Sequence, residues 1–193
     1  MTGSLREEHV KAFWTAVYEK QKEIKEDDMA RIGSSYLDTN DMFPQLELQL
    51  VSGEKLKLPK DIGEGYGVVL IYRGHWWPFC NQQLADFQEL HQELNSEQIK
   101  VIAASVDPIE KARELVNKLG ITYPVGYGMI AEEVSRITGA YYEKEKKYLH
   151  ATDFLLRPEK TIVVACYSTG PIGRFMAKDV LKLVKFYKRG GPA

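Results

Sequence analysis

The chain has 193 residues, near the size of one domain, and its 44% apolar and 27% charged residues exclude a disordered or fibrous class. Its 26 lysines and arginines nearly balance 27 aspartates and glutamates, so no net field gathers nucleic acid or anionic lipid, and neither is expected as a partner. No apolar run approaches the roughly 18 residues of a membrane span, and Arg6, Glu7, Glu8 and Lys11 are too charged for a secretory signal, so the reading is cytoplasmic with no membrane partner.

Residues 7–32 are strong helix formers, with Val10, Phe13, Trp14, Val17 and Tyr18 at spacings of three and four, and predict an amphipathic helix. Residues 33–43, rich in Ser, Asn and Asp, read as a connector. The expected division is therefore an N-terminal helix and connector over 1–41 and one main domain over 42–193. Leu46, Leu48 and Leu50 alternate with polar residues, then Ser52 and Gly53 interrupt before Leu56 and Leu58 alternate with lysines. That is a hairpin with a two-residue turn at a sheet edge.

The unbroken run 68–72 (VVLIY) predicts a central strand covered on both faces. A helix follows, with Leu84, Phe87, Leu90, His91 and Leu94 as its inner stripe and Asn95-Ser96 at its end. Residues 99–106 predict a second buried strand, and Asp107 and Pro108 an N-cap and first-turn proline for a helix over 109–119. Strand, helix, strand, helix implies a parallel unit with right-handed crossover. Residues 123–128 read as turn and 130–137 as a short helix. The runs 154–156 and 161–167 read as an antiparallel strand pair about Arg157-Pro158, and Val180, Leu181, Val184 and Tyr187 as a closing helix.

The chemistry concentrates at residues 72–80, YRGHWWPFC, where a buried strand ends, Gly74 permits a sharp turn and Pro78 opens a helix. A thiol there meets free backbone N–H groups and the positive end of the helix dipole, both of which favour thiolate. The only two cysteines are Cys80 and Cys166, so no disulfide framework is implied. Taken alone, Cys80 would be a small buried apolar residue, but the loop around it reverses that reading; Cys166, alternating with Val164 and Ile162, reads as core. No paired histidine and carboxylate set has metal-ligand spacing, and no cofactor is expected.

The segment RGHWWPFC resembles the Arg-Gly-x-Trp-Cys-Pro-x-Cys loop of peroxiredoxin-like proteins of the alkyl hydroperoxide reductase and thiol-specific antioxidant family. The likeness extends to Phe43-Pro44, Gly53-Glu54, Ser105-Val106-Asp107, Tyr123-Pro124-Val125 and Ala151-Thr152-Asp153-Phe154. It implies an α/β, thioredoxin-like fold, a mixed central sheet flanked by helices, behind the N-terminal helical extension. It also implies an antioxidant oxidoreductase acting on hydroperoxides or protein disulfides, with a thiol reductant such as thioredoxin or glutathione.

Where the family carries its attacking cysteine, this sequence has Trp77, which can neither ionise nor attack a peroxide, while Cys80 keeps the position of the resolving thiol. Position 77 is a true tryptophan in a redox-dead or repurposed member, an engineered substitution, or a selenocysteine UGA codon written as tryptophan. The last fits chemically, because a selenol is more acidic than a thiol. The rival class is a non-catalytic binding module presenting Trp76, Trp77 and Phe79 to a partner. His75 reads as a tuner of the reactive atom or a solvated loop residue, and Arg73 as an anion-orienting cation or a carboxylate partner. His150 stands where the resemblance expects an arginine, and the charge run 143–147 reads as a solvated loop or helix face.

Overall fold

The computed structural model describes residues 31–32 and 36–191. The expected helix over 7–32 lies outside them except at its last two residues, and Arg31–Ile32 is a short strand (β1) rather than helix. The other strands are β2 Leu46–Leu50, β3 Lys55–Leu58, β4 Tyr66–Ile71, β5 Ile99–Ala104, β6 Val125–Tyr127, β7 Tyr142–Glu143, β8 Tyr148–Leu149, β9 Thr152–Leu156 and β10 Ile162–Tyr167. The helices are α1 Pro78–Glu89, α2 His91–Ser96, α3 Ile109–Leu119, α4 Ala131–Thr138 and α5 Ala177–Lys188.

Seven strands form one mixed sheet in the order β10-β9-β4-β5-β6-β2-β3. Strand β4 runs parallel to β5 and antiparallel to β9, so it sits inside the sheet as its apolar run requires. Side chains alternate across it. Val68 and Leu70 join Leu84 and Phe87 of α1, Leu115 of α3 and Val180, Leu181 and Val184 of α5 in one core. Val69 and Ile71 join Phe154, Ile162, the hairpin leucines and Val134 of α4 in the other. Covering both faces is what makes a continuous apolar strand stable in this position.

Four expectations need correction. The hairpin turn has three residues, 51–53, because Leu50 N–H bonds to the Glu54 carbonyl and Gly53 closes it at φ 94. The helix after β4 breaks at Leu90 into α1 and α2, and His91 turns from the inner stripe to bond Thr122. Residues 125–127 form a strand, since β5 and β2 both offer them backbone partners. Finally, Pro108 rather than Asp107 occupies the cap of α3, and no side chain caps that helix. Among the described residues no helix is long and apolar enough to cross a membrane.

Candidate active site

The loop after β4 is built around glycine. Tyr72 N–H still bonds the Ala104 carbonyl, and two residues later Gly74 takes φ 151. A Cβ there would fall 2.6 Å from Trp76 Nε1 and 3.2 Å from Asp107 Oδ1, so only glycine fits. Trp77 N–H bonds the Gly74 carbonyl, and Trp77 is the cap of α1, with Pro78 in the first turn. The Trp77 carbonyl accepts from Cys80 and Asn81 N–H, both at 3.1 Å.

Asp107 holds this loop from beneath. It is 4% exposed; Oδ2 accepts from His75 N–H at 2.7 Å and from Ser105 Oγ at 3.0 Å, and Oδ1 lies 2.9 Å from His75 Nδ1. His75 is therefore fixed by a carboxylate rather than free in solvent, and Asn81 Nδ2 donates to its carbonyl.

Arg73 meets rings rather than a carboxylate. Its guanidinium carbon lies 4.4 Å from the Trp77 ring centre, 4.6 Å from that of Tyr148 and 5.3 Å from that of Trp76, and Nη2 donates to Tyr148 Oη at 2.5 Å. Trp77 packs edgewise on Trp76 and lies against Phe79, with its indole N–H buried and without a partner among the described residues. Trp76 and Phe79 remain 47% and 48% exposed.

Cys80 is fully buried one turn into α1. Its Sγ accepts from Arg73 N–H at 3.3 Å and Arg174 Nη2 at 3.7 Å. Burial pushes the thiol above its ordinary range, only partly opposed by those two donors. Cys166 is half-buried on the edge strand β10, so it is not the closed core residue that alternation predicted, and burial raises its thiol too. It stands opposite Asp153 of β9.

His150 is buried with Nε2 2.9 Å from Glu143 Oε1, so Glu143 is half-buried, while 144–147 form the exposed turn of the β7–β8 hairpin, the solvated loop that the charge run predicted. The Tyr148 ring contacts both the His150 ring and that of Trp76. The cation beside position 77 is Arg73.

The loop reading brought together Arg73, His75, Trp77 and Cys80, and missed Asp107 as anchor, Tyr148, Gln83, Asp153 and Arg174. One signal was available for Asp153: a carboxylate inside the apolar run ATDFLL is costly to bury without a role. No local pattern marks Arg174, which is 94 residues from Cys80. No group of three or more His, Cys, Asp or Glu among the described residues could hold a metal.

The AhpC/TSA family model matches residues 39–165. A peroxiredoxin of Treponema denticola is 27% identical over 153 residues, 75% of this chain and 71% of the relative. AhpC of Mycobacterium bovis superimposes with a TM-score of 0.69 at 17% identity, covering 83% of this chain and 97% of that one. Peroxidoxin BcpB of Mycobacterium tuberculosis gives 0.66 at 18% identity, covering 78% and 97%.

Proposed function

Because the chain belongs to the AhpC/TSA family of thiol-dependent peroxidases with a thioredoxin-like fold, we propose that it is a thiol- or selenol-dependent reductase of hydroperoxides or protein disulfides. Its attacking group belongs at position 77, as selenocysteine or cysteine, and Cys80 is the resolving thiol. The observation that carries this reading is the Arg73 guanidinium 4.4 Å from the ring of Trp77. A cation at the mouth of a helix N-terminus is what a selenolate or thiolate at that position requires, and what an indole ring does not. Cys80, three residues on and buried as the neutral thiol, suits the later of two sulfur steps. A dithiol such as thioredoxin, or two molecules of glutathione, would return the couple to its reduced form.

The test reads the codon for position 77 in the source gene and assays Trp77→Cys beside the parent chain. Peroxide consumption with a dithiol, and an internal bond to Cys80 that Cys80→Ser removes, are expected of the variant and nearly absent from the parent. If Trp77→Cys folds normally but shows neither, the enzyme reading fails. The second reading, a binding module, would then gain from the half-exposed Trp76 and Phe79 beside Trp77.

A further inference from the structure

The sulfur of Cys80 is bracketed by charge from two distant segments. Arg174 Nη1 donates to the carbonyls of Gly170 at 2.9 Å and Pro171 at 2.7 Å, which folds the guanidinium onto its own loop and leaves Nη2 for Sγ at 3.7 Å. The next residue, Phe175, donates its N–H to Asp153 Oδ2 at 2.8 Å. That same oxygen accepts from Gln83 Nε2 at 2.8 Å, and Gln83 follows Cys80 by three residues in α1. A carboxylate that is 1% exposed thus fastens the segment carrying Arg174 to the helix carrying Cys80. Arg174 Nε and Asp153 Oδ1 are buried with no hydrogen-bond partner among the described residues.

We propose that Arg174 is a catalytic cation of the second half-reaction, stabilising Cys80 as thiolate while it attacks the oxidised group at position 77, and that Asp153 is its positioning residue. The proposal rests on the reading of positions 77 and 80 as the redox couple. In the step, Cys80 gives up its thiol proton and its electron pair forms a bond to the sulfur or selenium at position 77. The bond from that atom to its hydroxyl oxygen breaks, and the departing hydroxide takes up the proton as water. The two-electron oxidation delivered by the hydroperoxide ends as a disulfide or selenenylsulfide.

The groups facing Cys80 make a cation necessary. Burial disfavours its thiolate, and Asp153 of β9 adds like charge; Arg73 N–H and Arg174 oppose them. Tyr72, kept protonated by burial, and Cys166 of β10, which senses Asp153 and Arg174, are the other titratable groups of this cluster. Of all of these, Arg174 alone brings a full positive charge to the sulfur itself.

The test uses the parent chain with Cys166→Ser, which leaves Cys80 as the sole cysteine, labelled with ¹³C at Cβ and titrated by NMR. Arg174→Met is expected to raise the apparent pKa of Cys80 by about one unit, cutting its thiolate fraction about tenfold at a given pH. Arg174→Lys should restore part of the shift. Asp153→Asn, which keeps the acceptor oxygen and removes the charge, should move the titration the opposite way. In Trp77→Cys, closure of the bond to Cys80 after one equivalent of peroxide should slow about tenfold with Arg174→Met. If the Met variant does not fold, Arg174→Gln and Arg174→Lys are read in the same titration. An unmoved titration in a folded, charge-removing variant, with Trp77→Cys active, overturns the role of Arg174 and leaves the redox couple standing. A shifted titration with no peroxide consumption by Trp77→Cys sinks the couple, and with it the catalytic step proposed here.

Discussion

The guanidinium of Arg73 and the ring of Trp77 are in cation–π contact, 4.4 Å from carbon to ring centre, at the first residue of the α1 cap. With tryptophan at position 77, that contact is worth on the order of 1 kcal/mol. With a thiol or selenol at position 77, the same cation would stabilise a full negative charge. In the Trp77→Cys background, Arg73→Met should therefore raise the pKa of the introduced thiol by about one unit and slow its reaction with peroxide about tenfold near neutral pH. Rates measured across pH would separate the two effects. An unchanged profile would mean that the helix N-terminus alone activates position 77.

Access distinguishes the two positions of the couple. Cys80 is fully buried beneath the loop, whereas Pro78 and Phe79 beside position 77 are exposed. Iodoacetamide should modify a cysteine introduced by Trp77→Cys, combined with Cys80→Ser, at least tenfold faster than it modifies Cys80 in the parent. Equal rates, read by mass spectrometry of the cleaved peptides, would contradict the burial argument.

Asp107 supplies the loop with its acceptor. Asp107→Ala leaves the His75 N–H and the Ser105 hydroxyl without their carboxylate, and should cost about 1–3 kcal/mol. A lowered urea midpoint with an unchanged slope is the expected signature. Asp107→Asn keeps an acceptor and should recover part of the loss.

Asp153 makes stability depend on pH. Burial, the leading cause, pushes its carboxyl up to about 7 from an ordinary value of 3.8, against hydrogen bonds from Phe175 and Gln83. Between these values the folded chain holds a proton that the unfolded chain has released. Stability from this group is then fully present below about pH 4 and is lost as pH rises through about 7, by a few kcal/mol. Asp153→Asn should flatten that decline in denaturant midpoints measured from pH 4 to 8; a slope identical to the parent's would show that another group sets it.

What could be read in advance follows the range of the forces involved. Strand β4 was legible because a short, β-branched apolar run between turn residues suits a strand covered on both faces, and the hairpin because its leucines alternate with polar residues. Strand β6 was not, because Val125-Gly126-Tyr127 is too short to carry a pattern and becomes a strand only between β5 and β2. The site divides the same way. Arg73, His75, Trp77 and Cys80 share eight residues of chain, whereas Asp107 was misread as a helix cap because a cap and a loop anchor use the same carboxylate. Arg174 reaches Cys80 only through tertiary folding, and no spacing encodes that approach.

The separation of 94 residues between Cys80 and Arg174 also orders events during biosynthesis. At roughly 5–20 residues per second, a ribosome delivers Arg174 about 5–20 s after Cys80. Until then the nascent chain carries the thiol without the guanidinium, and through most of that interval without β9 and β10 as well. The thiol is thus most open to oxidants and foreign disulfides while the polypeptide is still being made. Burial of the thiol therefore waits on β10, Arg174 and α5 and cannot precede their synthesis.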